Sequence, residues 1–476
     1  MSSAVNRTYL FYIVIVSALG GLLFGFDSGV ISGCEKAIQT EYGLNDFWHG
    51  FTVAVALIGT IIGAFGIGRP TDVFGRKPIL IAMAVFYFIS AVGCAFAPNW
   101  ATLVFMRWLG GLAIGGSSVV VPLYIVESAP GPMRGRLVAL NQLNIVLGIL
   151  VSYVSNYYVA QIAPEGAIGG ACEKLAACFT STALPFESII WRLQLGVEAF
   201  PAALFFFLLF TIPESPRQLV RFGRPEEAKK VLARIGDVSP ETTLGEISAS
   251  LAKAEGGQNV PLFQKAYFTP IFLAWAVAMF NQVSGINAIN YYAPRIFEMF
   301  IGKQNALGVT IGLGTVNLLA TIAALFLIDR FGRRFLLMLG AVGTTVMHLL
   351  AAWQLGLGAD ANKFVAIPAI LGFIGFFGVS QGAVIWVFIS EIFPNAVRAK
   401  GQALGSFTHW FMCALISWTF PIIAGLSETS GQYAFYFFAS MTALQFFFAW
   451  KLMPETKGGT IENVEERWKP TADKAA

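Results

Sequence analysis

Apolar residues recur along this chain in blocks of about twenty, the length that crosses a bilayer as a helix, separated by short polar or glycine-bearing stretches. Twelve such blocks can be marked, at about 9–32, 50–68, 79–97, 102–125, 138–160, 193–212, 267–297, 306–328, 336–357, 365–390, 402–424 and 432–453. The pattern predicts an all-α membrane protein with twelve transmembrane helices. Between the sixth and seventh blocks the charge returns. There Arg224-Pro-Glu-Glu-Ala-Lys-Lys-Val-Leu-Ala-Arg234 reads as an amphipathic helix opened by Pro225, and a second short helix fits about 243–255. The expected organisation is a first six-helix half at 1–212, cytoplasmic linker helices at 213–265, a second half at 266–457 and a tail at 458–476.

Composition sharpens this picture. The 476 residues are 56% hydrophobic and 12% charged, against about 25% charged in an average soluble protein, which excludes a soluble globule or a peripheral enzyme. The net charge of +4 is small, but its placement carries information. Arg69, Arg76, Lys77, Arg134, Arg136, Arg330, Arg333, Arg334, Arg398 and Lys400 follow even-numbered blocks, while the other loops hold little beyond Lys36, Lys174, Lys303 and Lys363. By the positive-inside rule both termini and the central loop are expected in the cytoplasm of a multi-pass cell-membrane protein. The first block is too long for a signal-peptide core and contains Asp27, so cleavage is not expected. Cys34, Cys94 and Cys413 read as small core residues, and Cys172 and Cys178 share one outward loop, where a pairing is left open.

The two halves repeat each other. Glu127-Ser-Ala-Pro-Gly-Pro-Met-Arg134 after the fourth block matches Glu391-Ile-Phe-Pro-Asn-Ala-Val-Arg398 after the tenth. Asp72-Val-Phe-Gly-Arg76-Lys77 matches Asp329-Arg-Phe-Gly-Arg333-Arg334, and Pro213-Glu-Ser-Pro-Arg217 matches Pro454-Glu-Thr-Lys-Gly458. Parallel repeats of this kind place a substrate site between two halves near the bilayer midplane. Positive-inside anchoring accounts for the basic residues of these loops but not for the repeated acids. Asp72, Arg76, Glu127 and Arg134, with Asp329, Arg333, Glu391 and Arg398, are therefore candidate gating residues whose ion pairs differ between two conformations.

The sharpest single feature is Asp27, a lone carboxylate inside Gly20-Gly-Leu-Leu-Phe-Gly-Phe-Asp-Ser-Gly-Val-Ile-Ser-Gly33. A carboxylate at the centre of a membrane helix costs roughly 2.5–3.5 kcal/mol on insertion scales, so a partner or a function is expected. The flanking glycines admit another helix, or a small polar molecule, close to the backbone.

Taken together, Gly68-Arg-Pro-Thr-Asp72-Val-Phe-Gly-Arg76-Lys77, Pro213-Glu-Ser-Pro-Arg217, Asn281-Gln-Val-Ser-Gly-Ile-Asn287, Asp329-Arg-Phe-Gly-Arg-Arg334 and Pro454-Glu-Thr-Lys-Gly458 resemble the sugar porters of the major facilitator superfamily over essentially all of residues 9–458. The resemblance implies the major facilitator fold, two pseudo-symmetric six-helix halves, and transport of a monosaccharide, a hexose or pentose such as glucose or xylose. Amides suit sugar hydroxyls because they both donate and accept, and an aromatic face covers the apolar side of the ring. The resemblance assigns Gln142, Gln282, Asn287 and Asn317 to binding, with Trp386, Trp410 and Phe24 as aromatic walls and Tyr291 and Tyr292 as outer-gate residues. An isolated membrane amide also serves as interhelical glue.

Coupling follows from the same resemblance. Proton-coupled members carry Asp where Asp27 stands, Arg107 matches the arginine that pairs with it, and Glu198 matches a sixth-span carboxylate of symporters. The proton is then the coupling ion, with no other cofactor and no metal expected. The chain departs from the family at three places. The tenth block, Gly378-Val-Ser-Gln381-Gly-Ala-Val-Ile-Trp386, lacks the prolines that break the helix in relatives, and Gly378 and Gly382 are the substitutes. Asn281 is one methylene shorter than the usual glutamine, and His409 stands where relatives carry an amide; Gln381 and His409 are candidates to restore the lost hydrogen bonds. The expected function is inward H⁺–sugar symport by a monomer in a lipid bilayer, with no nucleic-acid partner and no enzyme activity. The alternatives are a facilitative uniporter and a non-transporting sugar sensor, the latter disfavoured by the short stretch after Pro454.

Overall fold

The computed structural model describes residues 7–130, 133–162, 186–237, 239–255, 260–394, 397–427 and 430–457. Cys172, Cys178 and the tail from 458 lie outside the described residues. Every regular element among the described residues is helical. Among the described residues, eleven segments are long and apolar enough to cross a membrane, from Thr8–Gly33 to Arg398–Ala424. The helix Gly431–Lys451 completes a set of twelve, and its weaker apolar character comes from polar positions such as Gln432, Ser440, Thr442 and Gln445.

Among the described residues, three spans are not continuous. The sixth consists of Phe186–Gly196 and Ala199–Leu209, so Glu198 stands at a helix junction rather than inside a helix. The seventh consists of Phe268–Val283 and Ile286–Ile301. Gly285 between them has φ +84, and a β-carbon there would lie 2.4 Å from the Phe438 ring, so the break needs glycine for both backbone and space. Its second helix is kinked again at Tyr292, which has non-helical φ −112 and ψ 15, two residues before Pro294. The tenth consists of Lys363–Val379 and Gln381–Glu391. The break falls on Ser380 and forms without the family's prolines, between the two glycines expected to replace them. Ser380 Oγ occupies the space a side chain on Gly340 would take.

The chain packs as two compact units, Met1–Val30 with Ile58–Gln258, and Ile31–Leu57 with Asn259–Ala476. In the first, Leu10, Leu80, Tyr87, Val121 and Phe205 belong to one apolar core. The glycines of the first span serve helix packing: a β-carbon on Gly25 would sit 1.8 Å from the Ile145 carbonyl oxygen of the fifth span. The charged segment forms Pro216–Arg221, Pro225–Ile235 and Pro240–Glu255. The first of these is an extra helix, opened by Ser215 as its N-cap and Pro216 in its first turn. Pro225–Ile235 rests on the first span, with the Arg234 guanidinium 4.1 Å from the Tyr9 ring centre. In the second unit, Leu273, Val277, Leu336, Phe388 and Phe393 share the core.

Candidate functional site

In the first unit, Arg107 Nη1 donates to Asp27 Oδ1 at 2.9 Å, with both side chains almost fully buried. The pair engages one carboxylate oxygen. Asp27 Oδ2 and Glu198 Oε1 are buried without a hydrogen-bond partner among the described residues. Glu198, 3% exposed, lies within electrostatic reach of both Asp27 and Arg107. Two buried carboxyl groups thus lie in the field of one guanidinium, with Asp27 in direct contact with it. Phe24 and Gln142 belong to this unit and are half-buried.

In the second unit, the break in the seventh span gathers amides. Asn287 Nδ2 donates to Gln282 Oε1 at 2.5 Å. Gln282 Nε2 donates to Asn281 Oδ1 at 2.9 Å and stands 3.2 Å from the His409 ring nitrogens. That nitrogen is donor only, so the histidine nitrogen it meets acts as acceptor, as in a neutral imidazole. Asn281 Nδ2 in turn donates to the Gln381 carbonyl at 3.2 Å, tying the seventh-span break to the tenth-span break. The Gln381 side chain is buried with neither amide atom partnered among the described residues. Trp386 and Trp410 flank the His409 ring, at centroid distances of 4.8 and 4.9 Å. Asn317 faces the tenth span, where a β-carbon on Gly378 would lie 3.6 Å from its Oδ1 and 2.7 Å from Ala320 Cβ. The structure therefore brings together Asn281, Gln282, Asn287, His409, Trp386 and Trp410, with Asn317 and Gln381 at the tenth-span break.

Tyr291 and Tyr292, expected at a gate, are both buried, and Tyr292 donates its hydroxyl to the Ser417 carbonyl at 3.1 Å. Sequence reasoning missed His348. Its Nε2 lies 2.9 Å from the Ser284 carbonyl at the seventh-span break; the signal available was only a lone histidine in an apolar span.

The repeated loop motifs fold into matching clusters, each within its own unit. In the first, Arg76 meets Glu127 at 2.9 Å and Asp72 at 3.3 Å, and also bonds Gln218. In the second, Arg333 meets Glu391 at 2.9 Å and Asp329 at 3.5 Å. Ser215 Oγ donates to Glu127 Oε2 and Thr456 Oγ1 to Glu391 Oε2, both at 2.5 Å. Among the described residues, no ion pair joins Arg134 or Arg398 to these carboxylates; they donate to the Ala129 and Phe393 carbonyls of their own loops. The glutamates of the two closing motifs complete the clusters. Glu214 accepts the backbone N–H of Arg76, and Glu455 that of Arg333, at 3.1 and 2.9 Å. Burial pushes the Glu214 carboxyl above its ordinary 4.5, despite accepting from Ser215, Lys77 and Arg76. For Glu455 burial acts in the same direction, but backbone donors from Lys457, Arg333, Arg334 and Thr456 together outweigh it and hold the group below 4.5.

Comparison with known proteins gives a consistent outcome. Residues 13–468 match the family described as "Sugar (and other) transporter". The D-xylose-proton symporter of Escherichia coli (strain K12) is 34% identical over 511 residues, covering 100% of this chain and 99% of that protein. The major myo-inositol transporter of Bacillus subtilis (strain 168) is 34% identical over 482 residues, covering 98% and 95%. The inward open structure of the xylose transporter of E. coli superimposes with a TM-score of 0.81 at 33% identity, covering 97% of this chain and 100% of the other.

Proposed function

The chain belongs to the sugar porter family of the major facilitator superfamily, and from that premise we propose that it moves a monosaccharide across the cell membrane by alternating access, driven by H⁺ symport. The observation that carries the coupling is the buried Asp27–Arg107 pair with Glu198 beside it. Asp27 is the proton acceptor, Arg107 sets its affinity, and Glu198 relays. Taking up a proton frees Arg107 from Asp27, which links protonation to a rearrangement of the first and fourth spans. The names of the relatives support a substrate among pentoses and cyclic polyols of similar size, a D-xylose in one and a myo-inositol in the other.

The sugar is held by Gln142, Gln282, Asn287 and Asn317, with Asn281, Gln381 and His409 completing the donors and acceptors and Phe24, Trp386 and Trp410 covering its apolar face. Tyr291 and Tyr292 gate the outer side; Asp72, Arg76, Glu127 and Arg134, with Asp329, Arg333, Glu391 and Arg398, gate the inner side. The linker helices and both termini face the cytoplasm, supported by the loop charge asymmetry. The protein acts as a monomer in the bilayer, with no cofactor beyond the proton and no catalytic activity.

Uptake of radiolabelled glucose and xylose into proteoliposomes, with and without an imposed inward proton gradient, tests the proposal on wild type and Asp27→Asn. Wild type should accumulate sugar only with the gradient, and the variant should lose accumulation while keeping equilibrative exchange. Equal, gradient-indifferent uptake by both proteins would leave a uniporter.

A further inference from the structure

A second buried ionisable cluster lies apart from both sites described above, within the second unit. Glu35 and His49 are 2% and 0% exposed, with His49 Nε2 at 2.7 Å from Glu35 Oε2. Arg295 Nη1 stands 3.6 Å from the same oxygen, its side chain 35% exposed. The His49 ring meets Tyr292 edge-on at 5.9 Å, at the kink of the seventh span where the helix departs from helical φ/ψ.

We propose that Glu35, His49 and Arg295 form a second proton-binding site, which clasps residues 35–49 to the kinked end of the seventh span and tightens in acid. A buried carboxylate is costly unless paired, and here its nearest partner is a histidine, the side chain whose charge responds to pH in the physiological range. His49 Nε2 and Glu35 Oε2, although 2.7 Å apart, are like His49 Nδ1 buried without a well-formed hydrogen bond among the described residues, so the ring has an open nitrogen for a proton with the carboxylate beside it. Protonation there turns the contact into a charge-assisted bond to Glu35, the stronger kind. The clasp carries the kink with it, because Tyr292 is fixed on its other side to the Ser417 carbonyl.

The other ionisable groups around the cluster are already paired. Lys36 bonds Glu298 at 2.9 Å, and Gln39 bridges Asp46 and Arg295, each at 3.2 Å. From the eleventh span, the Ser417 carbonyl accepts from Tyr292 and carries no charge. His49 is therefore the group placed to switch the cluster's net charge. The physiological meaning, an outer closure favoured by external acid, rests on the transport reading above; the clasp itself does not.

Spin labels at Lys36→Cys and Glu298→Cys, in full-length protein whose native cysteines are replaced by serine, read the clasp by electron–electron distance measurement from pH 5 to 8. These substitutions also remove the one neighbouring Lys–Glu pair. The short-distance population should grow as pH falls, by up to about tenfold per pH unit, the limit for one proton. His49→Gln and Glu35→Gln, made separately so that one misfolded variant does not decide the matter, should each abolish the titration, and Asp27→Asn should keep it. A flat profile in the parent, a titration that persists in both cluster variants, or one lost in Asp27→Asn would overturn the proposal. Sugar uptake plays no part in this readout, so failure of the transport reading would be seen separately.

Discussion

His348 Nε2 and the Ser284 carbonyl oxygen lie 2.9 Å apart, which gives the broken seventh span a partner for a carbonyl left over at its break. The imidazole is fully buried, 4.2 Å from the Phe373 ring and packed also against Phe435 and Phe438. The residues on either side of that break, Gln282 and Asn287, carry the amide network. Holding the carbonyl therefore holds the network's geometry.

Replacing His348 by Phe keeps the aromatic packing and removes the donor. An unmet buried hydrogen bond costs on the order of 1 kcal/mol, so sugar affinity should fall about fivefold by isothermal titration calorimetry. His348→Gln, which can still donate, should recover most of it. Equal losses in both variants would assign His348 to packing alone.

Gly285→Ala should be more damaging than its size suggests. The position needs φ +84, and the new methyl would meet the Phe438 ring at 2.4 Å. Left-handed backbone costs roughly 1–2 kcal/mol without glycine, and overpacking adds about 1–3 kcal/mol. Thermal unfolding in detergent should show a clear drop in Tm, partly relieved by adding Phe438→Leu. No relief in the double variant would mean that the backbone strain dominates.

At the buried ion pair, deleting one partner should cost more than deleting both. Arg107→Met leaves the buried Asp27 carboxyl without its cation, and removing one partner of a buried pair costs about 3–5 kcal/mol. Asp27→Asn combined with Arg107→Met replaces the pair by neutral groups and should restore most of the lost stability. A double-mutant cycle on unfolding midpoints reads the coupling directly; additive losses would show that the pair contributes no mutual stabilisation.

Much of this was legible from the chain, for reasons that differ by residue. Pro225 opens a helix because its ring fixes φ and its missing N–H is not needed there, so that boundary could be placed from sequence. The duplicated acids and arginines pointed to paired loops, and the Arg76–Glu127 and Arg333–Glu391 contacts have equal lengths of 2.9 Å. The role of Glu214 was not legible, because it caps the backbone of Arg76 and Lys77 from 138 and 137 positions away. Arg134 and Arg398 went the other way: each bonds a carbonyl in its own loop, a local contact that the charge pattern does not distinguish from an ion pair. The seventh-span block looked continuous because Ser284 and Gly285 barely interrupt its hydropathy, although a glycine against a phenylalanine sets the break. His49 and Glu35, fourteen positions apart, sit on different helices, and nothing in the spacing announced their contact.

The two closing glutamates should respond to pH in opposite senses although their motifs are duplicates. Glu214 is raised above 4.5 chiefly by burial. The folded state therefore holds its proton more tightly than the unfolded chain, so the group favours folding fully below 4.5, and that contribution is lost as pH rises through its higher folded value. Glu455 is held below 4.5 by its backbone donors in spite of burial. It favours folding above 4.5, and that contribution is lost as pH falls through its lower folded value. With Glu214→Gln and Glu455→Gln, the Tm difference from wild type should move in opposite directions around pH 4.5: as pH rises the deficit shrinks for Glu214→Gln and grows for Glu455→Gln. Parallel trends would mean that the shared motif, not the local balance of burial against backbone donors, decides how these carboxyls behave.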